Sequence, residues 1–210
     1  MLPCPKCGAR LETPLGCGAC GDLFSPDPSP TPFEVLGLAP AFALDAKELK
    51  QRLLRASRVV HPDYFGAAAP EVRALAERNS ALVNEAYATL LDPAARADWL
   101  VRALGGPSES EQRDMPRSFL LDVLEWNETL EAAREAAPGT KGRAALVELA
   151  STLASRRESV LRKVGELLAP LPELGSTRLR DARAELNALR YLENTLAQIE
   201  ALRVAQATAH

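Results

Sequence analysis

Four cysteines near the N-terminus, Cys4, Cys7, Cys17 and Cys20, follow a C-x2-C-x9-C-x2-C spacing. Thiolates are soft ligands, and two close pairs can bring four of them to one tetrahedral ion. The chemistry to expect is therefore structural Zn²⁺ binding. Each pair is followed at once by glycine, Gly8 and Gly21. A tight knuckle turns backbone amides toward the sulfurs, and glycine accepts the φ that this requires. A segment this short cannot bury a core, so metal would supply its folding energy. The rival readings are two disulfides, a bound iron or a redox dithiol. A reducing compartment disfavours the disulfides. The matched pairs and the lack of a surrounding βαβ pattern disfavour the dithiol.

A second group is His61-Pro62-Asp63. Read locally it is a turn: proline breaks a helix, aspartate favours turns, and histidine at a helix C-terminus can meet the last carbonyls. The preceding helix, however, carries Lys47, Lys50, Arg55 and Arg58 on one side, with Leu54 among them. A charged outer face is ordinarily just solvated. This one has a single sign and leads directly into the tripeptide. Enzyme chemistry is poorly served, because the only histidines are His61 and His210 and no Gly-rich phosphate loop is present.

Helices must position these groups. Hydrophobic residues make up 47% of the 210 and aromatics only 5%, with Ala, Leu, Arg and Glu dominant, which predicts an all-α protein. A net charge of −3 makes no case for nucleic acid or membrane as partner. No stretch approaches the roughly 18 apolar residues of a membrane span. The N-terminus has neither a secretory apolar core nor an Arg-rich transit pattern, so a cytoplasmic location with reduced cysteines is expected.

Residues 25–32, with proline at every second position, read as a semi-rigid spacer. It would separate a tetracysteine domain, 1–24, from a helical domain, 31–106, with few contacts between them. In the second domain Thr31-Pro32-Phe33-Glu34 is a capping box that opens a short helix stopping at Gly37. Asp45-Ala46-Lys47-Glu48 opens another that runs to about Val60, with Leu49, Leu53, Ala56 and Val60 on its inner face. A third begins near Pro70 and repeats Leu75, Leu82, Ala86 and Leu90, so it can pack antiparallel on the second. Asp92-Pro93 caps a shorter helix ended by Gly105-Gly106-Pro107.

Residues 114–207 show helical patterns at about 116–137, 142–168 and 178–206, punctuated by Pro138-Gly139 and Pro170-Leu171-Pro172. The inner stripes are Phe119, Val123, Trp126, Leu130 and Ala133; then Leu146, Leu149, Leu153, Val160, Val164 and Leu167, interrupted by Arg156-Arg157; then Leu179, Ala182, Leu186, Leu189, Leu196 and Ile199. Three single-striped helices make an antiparallel bundle. Leu120, Leu121 and Leu124 fall outside the Phe119 stripe and are bordered by Glu125 and Glu128. They form either an exposed apolar patch with an acidic rim or a seam against the preceding domain, and the residues alone leave both open. Tyr191 is likewise displaced from the stripe of its helix.

With Asn84-Glu85-Ala86-Tyr87 and Leu91-Asp92-Pro93 following the tripeptide, the second block resembles a J-domain, the module that stimulates the ATPase of DnaK-type chaperones. The resemblance widens with Phe33-Glu34-Val35-Leu36-Gly37-Leu38, His61-Pro62-Asp63-Tyr64-Phe65 and Arg96-Ala97-Asp98-Trp99-Leu100. Phe119-Leu120-Leu121 through Glu128 and Leu189-Arg190-Tyr191-Leu192 add to it in the third block. From about 31 to 206 the chain resembles the HscB family, J-domain co-chaperones of iron–sulfur cluster assembly.

That resemblance implies an L-shaped J-domain plus C-terminal three-helix bundle, here preceded by a zinc-ribbon-like knuckle. It implies that His61, Pro62 and Asp63, with Lys50, Arg55 and Arg58, meet an acidic surface on the ATPase unit of a DnaK/HscA-type chaperone. It also implies that Leu120, Leu121, Leu124, Glu125, Glu128 and Tyr191 bind an IscU-type cluster scaffold. The chain would not be an enzyme but would activate a partner's ATPase. It departs from the family at Tyr64, where many members have lysine, and in the tetracysteine block, which resembles the extra domain of eukaryotic members. The alternatives are a general J-domain co-chaperone for another client and a zinc-ribbon regulatory or nucleic-acid-binding protein. The acidic net charge and lack of basic–aromatic interleaving count against the last.

Overall fold

Proline and side-chain caps start the helices of the first half. In the computed structural model, which describes residues 3–135 and 140–208, helix α1 spans Pro32–Val35. The Thr31 hydroxyl accepts from the Glu34 amide at 3.2 Å, and the Glu34 carboxylate accepts from the Thr31 amide at 2.8 Å, so the expected box is complete. Helix α2, Ala46–Val60, is capped by Asp45, which accepts from the Glu48 amide at 2.7 Å. The Glu48 carboxylate turns instead to Arg52, 3.1 Å away, so this second box is half made. A 3-10 turn, Pro62–Phe65, follows. Helices α3, Pro70–Leu91, and α4, Pro93–Ala103, both begin on a proline, where a missing N–H costs nothing. Among the described residues there is no strand, only isolated bridges such as Pro3–Arg10 and Gly16–Leu23. No helix among them is long and apolar enough to cross a membrane.

The chain divides into two compact units, Met1–Trp99 and Leu100–His210. The first has its core at Phe33, Leu36, Leu49, Ala56, Val60, Val83 and Leu90, with the Trp99 ring 5.3 Å from Phe33. Arg96 is buried there, donating to the Leu90 carbonyl and lying 5.3 Å over the Phe42 ring. The inward stripe of α3 differs from the expected one. It reads Ala76, Asn79, Val83, Ala86 and Leu90, and Leu75 and Leu82 are only half-buried. The cause is Asn79, whose side-chain amide serves backbone carbonyls and so turns a polar residue inward, where hydropathy reads none.

Those carbonyls belong to Leu15 and Phe24, each 2.9 Å from Asn79 Nδ2. The proline-rich segment therefore does not hold the cysteine block away from the helices, contrary to the expectation of few contacts. Leu15 is fully buried, and Arg78 donates to the Ser25 hydroxyl at 2.6 Å. Alternating proline stiffens the local path of a chain but does not stop it folding back where a buried leucine and a paired amide hold it.

The second unit holds α5, Arg117–Glu135, α6, Thr140–Leu168, and α7, Arg178–Thr208. The Pro138-Gly139 break lies outside the described residues. Helices α6 and α7 run antiparallel, with Arg157 paired to Glu193 and Lys163 to Glu185. Arg156 and Arg157 do not face the core; Arg156 reaches Asp122 of α5 at 3.0 Å. Leu168 takes the buried place expected for Leu167, and Leu196 is half-buried. Helix α7 is buried on more than one stripe, including Arg183 and Glu185. It also ties down the 104–116 connector: Arg183 donates to the Pro107 carbonyl, and Asn187 to those of Gln112 and Asp114, all at 2.9 Å.

Burial sets the energetic contrast on α6. Leu153→Ala, at a position with no exposure, is expected to cost about 2–5 kcal/mol in denaturant unfolding. Val147→Ala, at 47% exposure, should be neutral or slightly stabilising, since alanine is the better helix former. Equal losses at both sites would contradict this core.

Candidate functional site

The four cysteines come together. Their sulfurs all lie within 4.8 Å of one another, with Cys4 to Cys20 at 3.8 Å and Cys7 to Cys17 at 3.7 Å. A disulfide needs about 2.05 Å, so these thiols are free. A tetrahedron with metal–sulfur bonds of about 2.3 Å has edges near 3.8 Å, so the spacing fits one tetrahedral ion. The two knuckles repeat each other. Cys4 N donates to Ala9 O as Cys17 N does to Asp22 O, and Gly8 N to Cys4 O as Gly21 N does to Cys17 O. Both glycines sit at φ +74°, which a side chain would strain. Lys6 of the first knuckle pairs with Asp22 after the second at 2.6 Å.

Backbone amides point at the sulfurs. The Cys20 amide is the main cause that draws the Cys17 thiol down to about 7, against desolvation. The Ala9 amide draws Cys7 the same way, but desolvation and the neighbouring thiols outweigh it and push Cys7 up to about 12. Four thiols this close share protons unevenly because adjacent thiolates repel. A bound dication removes that conflict and takes the place of the protons.

The tripeptide is on the surface of the same unit. His61 ends α2 and opens the 3-10 turn, and its Nδ1 accepts from the Asp63 amide at 3.3 Å rather than meeting the last carbonyls of the helix. The Asp63 side chain is 86% exposed. Tyr64 is exposed and stacks edge-on against His61, with ring centroids 5.9 Å apart. Lys50, Arg55 and Arg58 are all exposed on α2, opposite buried Leu49, Ala56 and Val60. Among the described residues Lys50 and Arg58 make no ion pair, while Arg55 faces Glu12 of the cysteine block at 4.0 Å.

On α5, Leu120, Leu121 and Leu124 are exposed, and Phe119 beside them is buried. Glu125 and Glu128 are exposed at their border. Tyr191 of α7 joins this surface: its ring meets Phe119 edge-on at 5.8 Å, and its hydroxyl donates to Asn127 Oδ1 at 2.8 Å. The sequence reading missed Asn127. It lies three residues beyond Leu124 and seven beyond Leu120, and that helical phase was the available signal. The reading also missed Asn79, for which residue type and spacing carry no signal.

A family model described as the HSCB C-terminal oligomerisation domain matches residues 115–200. The human iron–sulfur cluster co-chaperone protein HscB is 37% identical over 133 residues, covering 62% of this chain and 56% of the human protein. The HscB homolog of Bordetella avium is 34% identical over 137 residues, covering 65% of this chain and 78% of that protein. The crystal structure of human co-chaperone protein HscB superposes with a TM-score of 0.75 at 27% identity, over 97% of this chain and 99% of that one.

The proton count of the cysteine cluster gives a test. With Cys7 raised to about 12, the metal-free site retains protons near neutrality that an ion must expel. Apparent affinity for Co²⁺ or Zn²⁺ should fall steadily from about pH 8 to about pH 5, and binding should acidify a weakly buffered solution. Metal binding without proton release would rule out ligation by thiolates.

Proposed function

The chain belongs to the HscB family of iron–sulfur cluster co-chaperones, and from that premise we propose that it delivers an IscU-type scaffold to a DnaK/HscA-type chaperone and stimulates that chaperone's ATPase. The observation that carries this reading is the exposed His61-Pro62-Asp63 turn at the end of a helix face of one sign. The turn sets the Asp63 carboxylate outward, with its backbone amide held on His61. Lys50, Arg55 and Arg58 raise the encounter rate with an acidic surface and orient it. The work done on ATP lies in the partner; this chain contributes a positioned carboxylate and a steering field. Tyr64, in place of a lysine, removes one charge from that field and adds a ring against His61.

The client surface in this proposal is Leu120, Leu121 and Leu124, with Glu125 and Glu128 at the rim and Tyr191 fixed beside it by Asn127. Exposed leucines outside a bundle's own stripe gain by burial against a partner, and a charged rim gives orientation. The ion at Cys4, Cys7, Cys17 and Cys20 is zinc in a structural role, since four thiolates leave no open coordination position. It supplies folding energy to the block. The chain works in a reducing compartment, where these thiols stay free.

Asp63→Asn keeps the shape and removes the charge. It should abolish ATPase stimulation and leave the circular dichroism spectrum unchanged; full stimulation by this variant would overturn the role of the tripeptide. Arg58→Glu should mainly slow association and change its salt dependence.

Leu120→Ala/Leu124→Ala should weaken scaffold binding by well over about tenfold. Its melting temperature should barely move, because both side chains are exposed, at 44% and 64%. A large stability loss with normal scaffold affinity would turn the patch into a packing seam. Purified protein should hold one zinc per chain, and metal analysis showing another ion would correct that assignment.

A further inference from the structure

The cysteine block packs on the two helices that flank the tripeptide, and it does so through the loop that presents its second pair of cysteines. A Cβ on Gly16 would fall 2.9 Å from Val59 Cγ1, 3.1 Å from Leu23 Cδ2 and 3.2 Å from the Asp22 carbonyl. One on Gly18 would lie 3.5 Å from Val59 Cγ2. A side chain at Gly16 would obstruct this approach of the Cys17 loop to α2, whereas one at Gly18 would make only ordinary contact with Val59. Val59 lies two residues before His61.

Asn79 of α3 holds the same loop from the other helix. It is 1% exposed and donates to the carbonyls of Leu15 and Phe24, the residues on either side of Cys17 and Cys20. The Phe24 amide donates to the Leu15 carbonyl at 2.9 Å, so Asn79 closes the neck of the ligand loop. Its Oδ1 is buried with no hydrogen-bond partner among the described residues. A buried amide that leaves its own acceptor unpaired is costly in a helix core, and the two bonds its Nδ2 donates to the cysteine loop offset that cost.

We infer that metal loading of the four cysteines is coupled to the rigidity of α2 and α3 around the tripeptide, and that Asn79 and Val59 are the positioning residues that transmit it. An ion that binds only the folded loop stabilises whatever is packed against that loop. Were the block independent, the ion would stabilise residues up to about 24 and nothing else. With two hydrogen bonds to α3 and a close contact to α2, its stabilisation extends to the end of the helix that carries His61. The bearing on chaperone activation rests on the role proposed above for the tripeptide; the coupling itself does not.

The test uses the full chain, loaded with Zn²⁺ or stripped with a chelator, and reads amide hydrogen exchange. Stripping should speed exchange by about tenfold or more in Ser57–Val60 and around Asn79–Val83. Helices α5, α6 and α7 serve as the internal control and should not change. Stimulation of the chaperone ATPase should fall with the loss of metal. In Val59→Ala and Asn79→Ala, metal analysis should still find one bound ion, but stripping should change exchange less than in the parent chain, in α2 for Val59→Ala and in α3 for Asn79→Ala. Val59→Ala keeps the test intact if Asn79→Ala does not fold. Unchanged α2–α3 exchange on stripping the parent chain, or an undiminished response in Val59→Ala, overturns the coupling. An exchange response without ATPase stimulation in either state upholds the coupling and overturns the chaperone reading instead.

Discussion

The two hydrogen bonds from the Asn79 amide to the Leu15 and Phe24 carbonyls join pieces of chain more than fifty residues apart. A small cysteine loop has almost no core: Cys4, Leu11 and Cys17 are buried together, with Ala9 and Phe24 packed against them. Below roughly forty residues a chain usually needs metal, disulfides or a partner to fold. Here the loop leans on the helices behind it, and its four sulfurs lie within 4.8 Å of one another. The loop and α1 to α3 consequently form one unit, although a proline-rich segment lies between them.

Much of this was readable from the chain, and where reading failed there is a physical reason. Cysteine spacing predicted that the four sulfurs come together, because two close pairs leave few ways to arrange them, and they do lie within 4.8 Å of one another. The Thr31 box and the prolines at 70 and 93 fixed helix starts, because they act within one turn. Helical phase set the α5 leucines off the inner stripe but left open whether they were exposed or packed; they are exposed. Docking of the cysteine block was not legible. Its main contacts run from a side chain to backbone carbonyls, which every residue has, so no pattern of residue types announces them. On α3 Ala86 and Leu90 are buried as expected, but Ala76, Asn79 and Val83 take the inward places expected of Leu75 and Leu82, and Asn79 reads as polar.

The two surfaces proposed above to meet partners have opposite physics. Around the tripeptide the groups are charged and exposed, suited to fast, salt-sensitive encounters. On α5 the centre is apolar, and Tyr191 beside it is pinned at both ring and hydroxyl. A partner bound there would gain from burial and meet a surface already ordered, which would favour slow release.

The ion pairs between α6 and α7 have a further consequence. Apolar stripes repeat, so two long helices can slide by a turn and still bury leucine against leucine. Sliding α7 one turn one way would set Ala197 opposite Arg157 and Leu189 opposite Lys163; the other way, Leu189 would face Arg157. Either slip strands a cation that the observed alignment satisfies. A partly buried pair adds little net stability, but breaking it is expensive. The Arg157–Glu193 and Lys163–Glu185 pairs thus select one register from several that the hydrophobic pattern alone would accept.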